Sequence, residues 1–537
     1  MWLKSAPRWE LTTFGLLLVS LLAILPLAGL VYYVLVVDSA QLINQPTSLS
    51  ELWQQQDIGG LIFRTLLLGI VVACLNVAIG GWLAWLSQRY QFRGRKILTL
   101  LSLIPLAIPS YILAATLRDS LSPGGLLGEF FNLSSFTGFI PATIVLTIAT
   151  LPYTQLLLTT HLTNTTHQQE EAAARLLGAN SKQVFLYVTW PYLRPVLVLT
   201  WLITFLYAIS DFGAVAVLNF PVLTWRLYQA VEYQQLILAS LLGSSLLIIS
   251  LPLFLFMRYL QGNKLKPANV QFPAFLAMPL PKKIMLLAFL IYGLIIAFGV
   301  VIPLNTLITW VMQGWQNQLV FAEVFEPIRA TLLLSIVGAT VITALAYLPG
   351  WIAARSTRSI DIYLEQMVYL TAGLPGILLG FGLLLVALAI AQLQQSVTFY
   401  HFILSSGILL IIGYALRFMP QAYAYLKYAF INLNELQYAN ARLLGATQRY
   451  WWMHLALPEL WPSIRGAWII VILAICKELP LTLLLGNSTG LQPLSVRMFD
   501  RYQEAFLHDA GISGLLLVII CLLLTLWTLR LKVYNSG

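Results

Sequence analysis

Charge is what this chain has least of. Of its 537 residues, 9% are Asp, Glu, Lys or Arg and 59% are hydrophobic, and the mean hydropathy is +0.83. A soluble domain carries about 25% charged residues, so that class is excluded and an integral membrane protein is left. Cysteine is nearly as scarce. Cys74, Cys476 and Cys521 all fall inside apolar runs with no CxxC pair, which excludes a disulfide framework and a thiolate metal site. The five histidines, His161, His167, His401, His454 and His508, have no ligand spacing. No metal or catalytic site is expected. Also missing is the phosphate-cradling GxxxxGK[ST] string, so the chain is not its own ATPase by that route. The lack of a nucleophile elbow and of HExxH argues against a membrane hydrolase or protease.

Long apolar runs are what remains. A helix needs ~20 apolar residues to cross the hydrocarbon core, and these runs do not alternate as barrel strands do. The expected fold is all-α, with about twelve transmembrane helices: 12–35, 61–87, 98–117, 138–160, 194–218, 237–258, 284–311, 328–353, 363–391, 402–427, 462–485 and 511–531. The first is long for a signal-peptide core and reads as an uncleaved anchor. Lys and Arg gather at alternate ends: Lys4 and Arg8, then Arg89, Arg93, Arg95 and Lys96, then Arg258, Lys264, Lys266, Lys282 and Lys283, and finally Arg530 and Lys532. The loop 36–60 has three acids and, before Arg64, no Lys or Arg. The positive-inside rule then places both termini in the cytoplasm. The net charge of +10 follows from membrane topology at helix ends, so no nucleic-acid partner is expected; membrane lipid is.

The chain repeats itself. Residues 170–191 read EEAAARLLGANSKQVFLYVTWP, and 435–458 read ELQYANARLLGATQRYWWMHLALP. Gly445 and Pro458 lie 267 residues after Gly178 and Pro191. Pro109 and Pro375, Thr65 and Thr331, and Asp211 and Glu478 keep the same register to within one residue. Six spans per half make the halves parallel repeats. The expected organisation is a first half over 1–262, a cytoplasmic linker over 263–283 and a second half over 284–537. Within each loop, a stretch of good helix formers runs up to a glycine placed for a left-handed turn. Asn164 or Thr165, and Ser181, read as helix caps in the first copy; Asn432 or Asn434, and Thr447, do so in the second. The predicted shape is helix, sharp turn, helix, suited to seating in a partner's groove.

These loops resemble the EAA loop of ABC-importer permeases, the short helix that docks into the ATPase subunit. Two of them in one chain resemble two permease subunits fused. The order of motifs, with SDFGAVAVLNFPVLTWRLYQ and KELPLTLLLGNSTGLQPLSVRMFD after the loops, resembles the fused permeases of ferric-iron importers over nearly the whole chain. Thiamine permeases share that layout, and polyamine permeases share the single-half pattern.

The resemblance implies a type-1 permease fold in the bacterial inner membrane, an ABC ATPase subunit in two copies and an extracytoplasmic binding protein. ATP and Mg would be used by that ATPase, with no cofactor on this chain. It also assigns the coupling loops: Glu170, Glu171, Ala173, Ala174, Arg175, Gly178 and Pro191 in the first copy, and Ala441, Arg442, Gly445 and Pro458 in the second. The family's acid usually stands six residues before the glycine. Here that position is Ala172, with Glu171 one earlier; the second copy has Ala439 and Tyr438 there, with no acid nearer than Glu435.

Asp211 and Glu478 fall at equivalent positions inside apolar runs, where charge is costly and faces the bundle interior. One reading puts both on the translocation path of a cation. The other is structural: Glu478 pairs with Lys477, and Asp211 caps or bonds locally. A twelve-helix secondary transporter is the competing class. It predicts coupling charges inside several helices and no repeated helix–glycine–helix loop.

Overall fold

The computed structural model describes residues 24–31, 33, 49–131, 134–162, 165–262, 278–315, 322–355, 359–395, 397–433 and 435–534. In chain order, the elements used below begin with α1 (24–31), α2 (Ile58–Arg89), α3 (Ser110–Leu121) and α4 (Phe139–Leu162). Next come α5 (Thr165–Leu176), α6 (Trp190–Ser210), α7 (Gly213–Val217), α8 (Leu223–Glu232) and α9 (Leu236–Gly262). The chain continues with α10 (Lys282–Ile296), α11 (Ala322–Arg355), α12 (Gly376–Leu393), α13 (Ile408–Ile431) and α14 (Glu435–Leu443). The last four are α15 (Leu457–Lys477), α16 (Pro480–Gly486), α17 (Leu494–Gln503) and α18 (Leu507–Tyr534). Among the described residues, extended pairing is confined to a parallel bridge of Tyr90–Gln91 with Met278–Pro279. The fold is all-α.

Nine described helices are long and apolar enough to cross a membrane, and two bent pairs bring the number to eleven. The expected span 12–35 lies outside the described residues apart from 24–31 and 33. The span expected over 98–117 is bent by 101° between Ala107 and Ser110. The apolar run 363–391 is likewise interrupted, by a short turn at Thr371–Gly373. Each break ends in a proline, Pro109 or Pro375, with ψ of 144° and 139°; proline and its neighbours leave the helical region there. The runs 194–218 and 462–485 also stop short, at Ser210 and Lys477.

Two compact units emerge, and they divide the chain differently from the sequence halves. One comprises 1–49, 227–247 and 314–537; the other comprises 50–226 and 248–313. In the second of these, α2 and α4 pack through Gly80, where an added Cβ would meet Thr154 Cγ2 at 2.8 Å. Asn76 donates to Thr150 Oγ1 (2.8 Å) between the same helices, so a small residue and a polar bond hold the pair as in other membrane bundles. The first helix of the second half belongs to this unit: Gly299, just past α10, lies against Pro105 and Ile148. Reciprocally, α1 belongs to the other unit, where Gly29 and Gly382 let α1 and α12 approach backbone to backbone.

The repeat survives in detail. The Thr65 hydroxyl accepts from the Leu223 N–H (3.0 Å), and the Thr331 hydroxyl accepts from the Leu494 N–H (2.8 Å). Trp201 donates to Cys74 Sγ, and Trp468 to Thr340 Oγ1.

Gly80→Leu should therefore lower the melting temperature of the detergent-solubilised protein, at a cost of about 1–3 kcal/mol for overpacking. Gly293→Leu, where an added Cβ meets nothing within 4 Å, should leave it unchanged.

A pH dependence follows from α17, which lies outside the spanning helices. Burial pushes the Asp500 carboxyl from its ordinary 3.8 up to about 6; Glu504 and Glu232 add to this and Arg501 opposes it. The folded state then holds this proton more tightly than the unfolded chain. Its contribution is largest at low pH and declines as pH rises from 3.8 to about 6. Asp500→Asn should flatten that part of a melting-temperature profile.

Candidate functional site

Each loop folds as helix, glycine turn, helix. α5 ends at Leu176, and Gly178 takes φ 87°. The Gly178 N–H donates to the Arg175 carbonyl and the Ala179 N–H to the Ala174 carbonyl, both at 3.0 Å. In the second loop Gly445 has φ 81°, with the same bonds from Gly445 to Arg442 and from Ala446 to Ala441. This is a Schellman turn, and its left-handed residue favours glycine because a Cβ would crowd the carbonyl.

The following short helix is capped by Asn180 in the first loop and by Thr447 in the second. Asn180 and Gln183 exchange two bonds of 2.9 Å, and Thr447 accepts from the Tyr450 N–H. The expected cap at Ser181 is thus displaced by one residue, since the Asn180 side chain reaches the Gln183 N–H. Thr165 is the first residue of α5, and Asn432 closes α13 rather than opening α14. Asn164 and Asn434 lie outside the described residues. Each loop then passes through one π-helical turn, Phe185–Thr189 or Trp452–Ala456. Pro191 and Pro458 directly follow these π-turns, inside helices that run on unbroken over Lys182–Ser210 and Gln448–Lys477.

The side chains divide sharply into two sets. Leu176 and Leu177 are 88% and 89% exposed, and Leu443 and Leu444 are 85% and 88% exposed. Each loop helix thus ends in two adjacent, exposed leucines. The sequence reading passed over them; the signal was the identical apolar pair before each glycine. Glu170, Ala173 and Arg442 are also exposed, while Ala174 and Arg175 are half-buried and Ala441 is buried.

Glu171 points the other way and is 2% exposed. It pairs with Arg89, at the end of α2, and accepts from the Thr189 hydroxyl (2.5 Å) just before α6. The carboxylate thus ties the loop helix to two membrane helices. The second loop reaches the same end with aromatic rings. Tyr438, at the position of Glu171, packs edge-on against Trp451 at 4.8 Å, and Trp452 lies against Trp351 at 4.6 Å.

Asp211 and Glu478 occupy matching breaks. Both leave the helix with φ −70°, and with ψ of 130° and 127°. Each caps the next short helix: Asp211 Oδ1 accepts from the Ala214 N–H (2.9 Å), and Glu478 Oε1 from the Leu481 N–H (3.3 Å). Their second oxygens differ. Asp211 Oδ2 accepts from the Ser110 hydroxyl at 2.5 Å, whereas Glu478 Oε2 accepts from Arg417 Nε at 3.0 Å. Gly376 stands in the second half where Ser110 stands in the first, one residue after the proline. A Cβ there would fall 2.8 Å from Glu478 and 2.9 Å from Arg417, so glycine makes room for the guanidinium. Arg417 lies 61 residues from Glu478, and nothing in the local sequence pointed to it. Among the described residues, no group of three His, Cys, Asp or Glu is arranged to hold a metal ion.

The profile of the family described as binding-protein-dependent transport system inner membrane component matches twice, over residues 76–264 and 346–534. The Fe(3+)-transport system permease protein FbpB 2 of Haemophilus influenzae is 26% identical over 469 residues, which are 86% of this chain and 87% of that protein. The sulfate transport system permease protein CysT of Salmonella typhimurium is 28% identical over 204 residues, 37% of this chain and 71% of that protein. Its namesake from Escherichia coli is 29% identical over 204 residues, with the same coverage. Both glycine-turned loops lie within the matched stretches, and the chain belongs to the family of binding-protein-dependent transport system inner membrane components, a permease and not an enzyme, with the permease domain present twice.

Proposed function

We propose that this permease carries ferric iron. The carrying observation is extent: similarity to an Fe(3+)-transport permease runs through both halves and covers 87% of that protein, while the sulfate permeases match about a third of this chain. Iron reaches the outer face on a binding protein. Two copies of a separate ATPase subunit, which uses ATP and Mg, seat on the loops at Leu176–Leu177 and Leu443–Leu444. Both loops and both termini face the cytoplasm, as the Lys and Arg distribution requires. No cofactor is held by this chain. In proteoliposomes containing the permease, its ATPase and its binding protein, radiolabelled ferric iron should accumulate on ATP addition. Uptake of sulfate or thiamine in place of iron would overturn the assignment.

On this reading the loop has a docking surface and a transmission brace. Leu176→Asp with Leu177→Asp should abolish ATPase capture in a pull-down, because a buried unpaired carboxylate opposes docking. Glu171→Ala should leave capture largely intact yet lower ATP-driven uptake, since the loop is then untied from Arg89 and Thr189. Equal capture by both variants would sink the division of labour.

The two carboxylates at the breaks are assigned to the translocation path, with Arg417 holding Glu478 between transport steps. Asp211→Asn with Glu478→Gln should slow iron uptake while the folded yield in membranes holds. If instead Glu478 is only a brace, Arg417→Met should cut the folded yield, at a cost of about 3–5 kcal/mol for a stranded buried charge, and Arg417→Met with Glu478→Met should restore it along with full transport. Normal iron uptake by that double variant would remove Glu478 from the path.

A further inference from the structure

Behind the first loop lies a cavity of about 1060 Å3, with walls drawn from α2, α4, α6 and the loop itself. Its two ends differ in chemistry. Arg89, Arg175, Lys182 and Arg194 line one end, with Glu171 as the only carboxylate among the lining residues. Glu171 is paired with Arg89. Among the described residues, Arg175, Lys182 and Arg194 make no ion pair. Toward the other end the lining is apolar, with Val77, Gly81, Leu197 and Trp201.

The length of the groove limits what fits. Arg89 and Val77 are twelve residues apart on one helix, about 18 Å at 1.5 Å per residue. A free anion would use the cations and leave that apolar wall unfilled. An acidic peptide would carry polar backbone into it, where nothing satisfies the amides. An acyl chain fits the wall without penalty, and a phosphate fits the three cations. Trp82, Trp85 and Trp190 also line the cavity, and tryptophan is the residue of the membrane–water interface.

The second half carries different side chains at three of the matching positions. Trp451 replaces Val184, Tyr438 replaces Glu171 and Trp461 replaces Arg194 at matching positions. Trp451 is buried and packs against Tyr438 and Trp452. Arg442 and Arg449 stand at the positions of Arg175 and Lys182, so the two loops share these cations and differ at Glu171, Val184 and Arg194.

We propose that this groove holds one anionic phospholipid, its phosphate between Arg175, Lys182 and Arg194 and an acyl chain along Val77, Gly81 and Trp201. The lipid does for the first loop what the aromatic cluster does for the second: it backs the loop against the membrane helices. This holds whatever the cargo is.

The test is native mass spectrometry of the full chain in detergent, titrated with phosphatidylglycerol or with phosphatidylcholine of the same acyl chains. One phosphatidylglycerol should be retained per chain, and phosphatidylcholine should bind at least tenfold more weakly. Lys182→Gln with Arg194→Gln should weaken phosphatidylglycerol binding about thirtyfold. Gly81→Leu should weaken it comparably by occupying the groove; an added Cβ there meets nothing nearer than Leu158 at 3.5 Å, so the helix accepts the change. Lys96→Gln, an exposed cation elsewhere, should change nothing. Equal binding by wild type and both groove variants would overturn the proposal, as would equal binding of the two lipids. Displacement of the bound lipid by millimolar glycerol phosphate would also overturn it, by assigning the site to a soluble phosphate.

Discussion

A helix interrupted inside a membrane exposes amide hydrogens that no water reaches, and the architecture of this permease turns on how they are satisfied. Hydrocarbon tolerates irregular backbone only where protein groups bond it. Here one carboxylate per half does so. Asp211 and Glu478 stop a spanning helix, leave in extended geometry and cap the short helix that follows. Their own carbonyls accept from Thr224 and Ser495, which fold the next amphipathic helix back over the break. Thr65 and Thr331 complete the arrangement by receiving the first amide of α8 and α17. Two hydroxyls and one carboxylate in each half therefore position the short helix and the amphipathic helix that follow the break.

The same demand is met differently in the two halves, and the differences compensate one another. Ser110 fills the space beside Asp211 and donates to it; Gly376 vacates that space, and Arg417 enters to pair with Glu478. A buried carboxylate without either partner would be costly, so the serine-to-glycine difference and the arginine stand or fall together. In the loops, Glu171 with Arg89 answers to Tyr438 with Trp451. One brace is ionic and directional, the other is a packed aromatic cluster. Both leave the leucine pair outside and hold the loop helix to the helices behind it.

Much of this was legible in the sequence, for a physical reason: glycine and proline announce backbone conformations that few other residues adopt. Gly178 and Gly445 marked the turns, and the spacing of these glycines and of Pro109 and Pro375 revealed the repeat, although the expected spans 98–117 and 363–391 ran through both prolines. The helix ends at Ser210 and Lys477 were hidden, because hydropathy continues across them and an apolar run carries no record of its hydrogen bonds. Partnerships between distant residues were also invisible: Lys477 adjoins Glu478, yet Arg417 makes its ion pair. An acid in a docking loop reads as a surface contact. That Glu171 turns inward is decided by Arg89 and Thr189, which lie 82 residues before it and 18 after it.

Asp211 and Thr224 are 13 residues apart, whereas Glu478 and Ser495, which make the matching bond, are 17 apart. Two of the four extra residues lengthen α16 relative to α7, and two lengthen the turn Asn487–Pro493 relative to 218–222. They change neither the anchor at Thr331 nor the end of α17, where Ala505 takes the same left-handed φ that Gln234 takes after α8. The insertion is absorbed in the short helix and its turn because both ends of that stretch are pinned, one by the carboxylate and one by the threonine. Here the halves differ in length between two pins, and the pinned residues keep their equivalents.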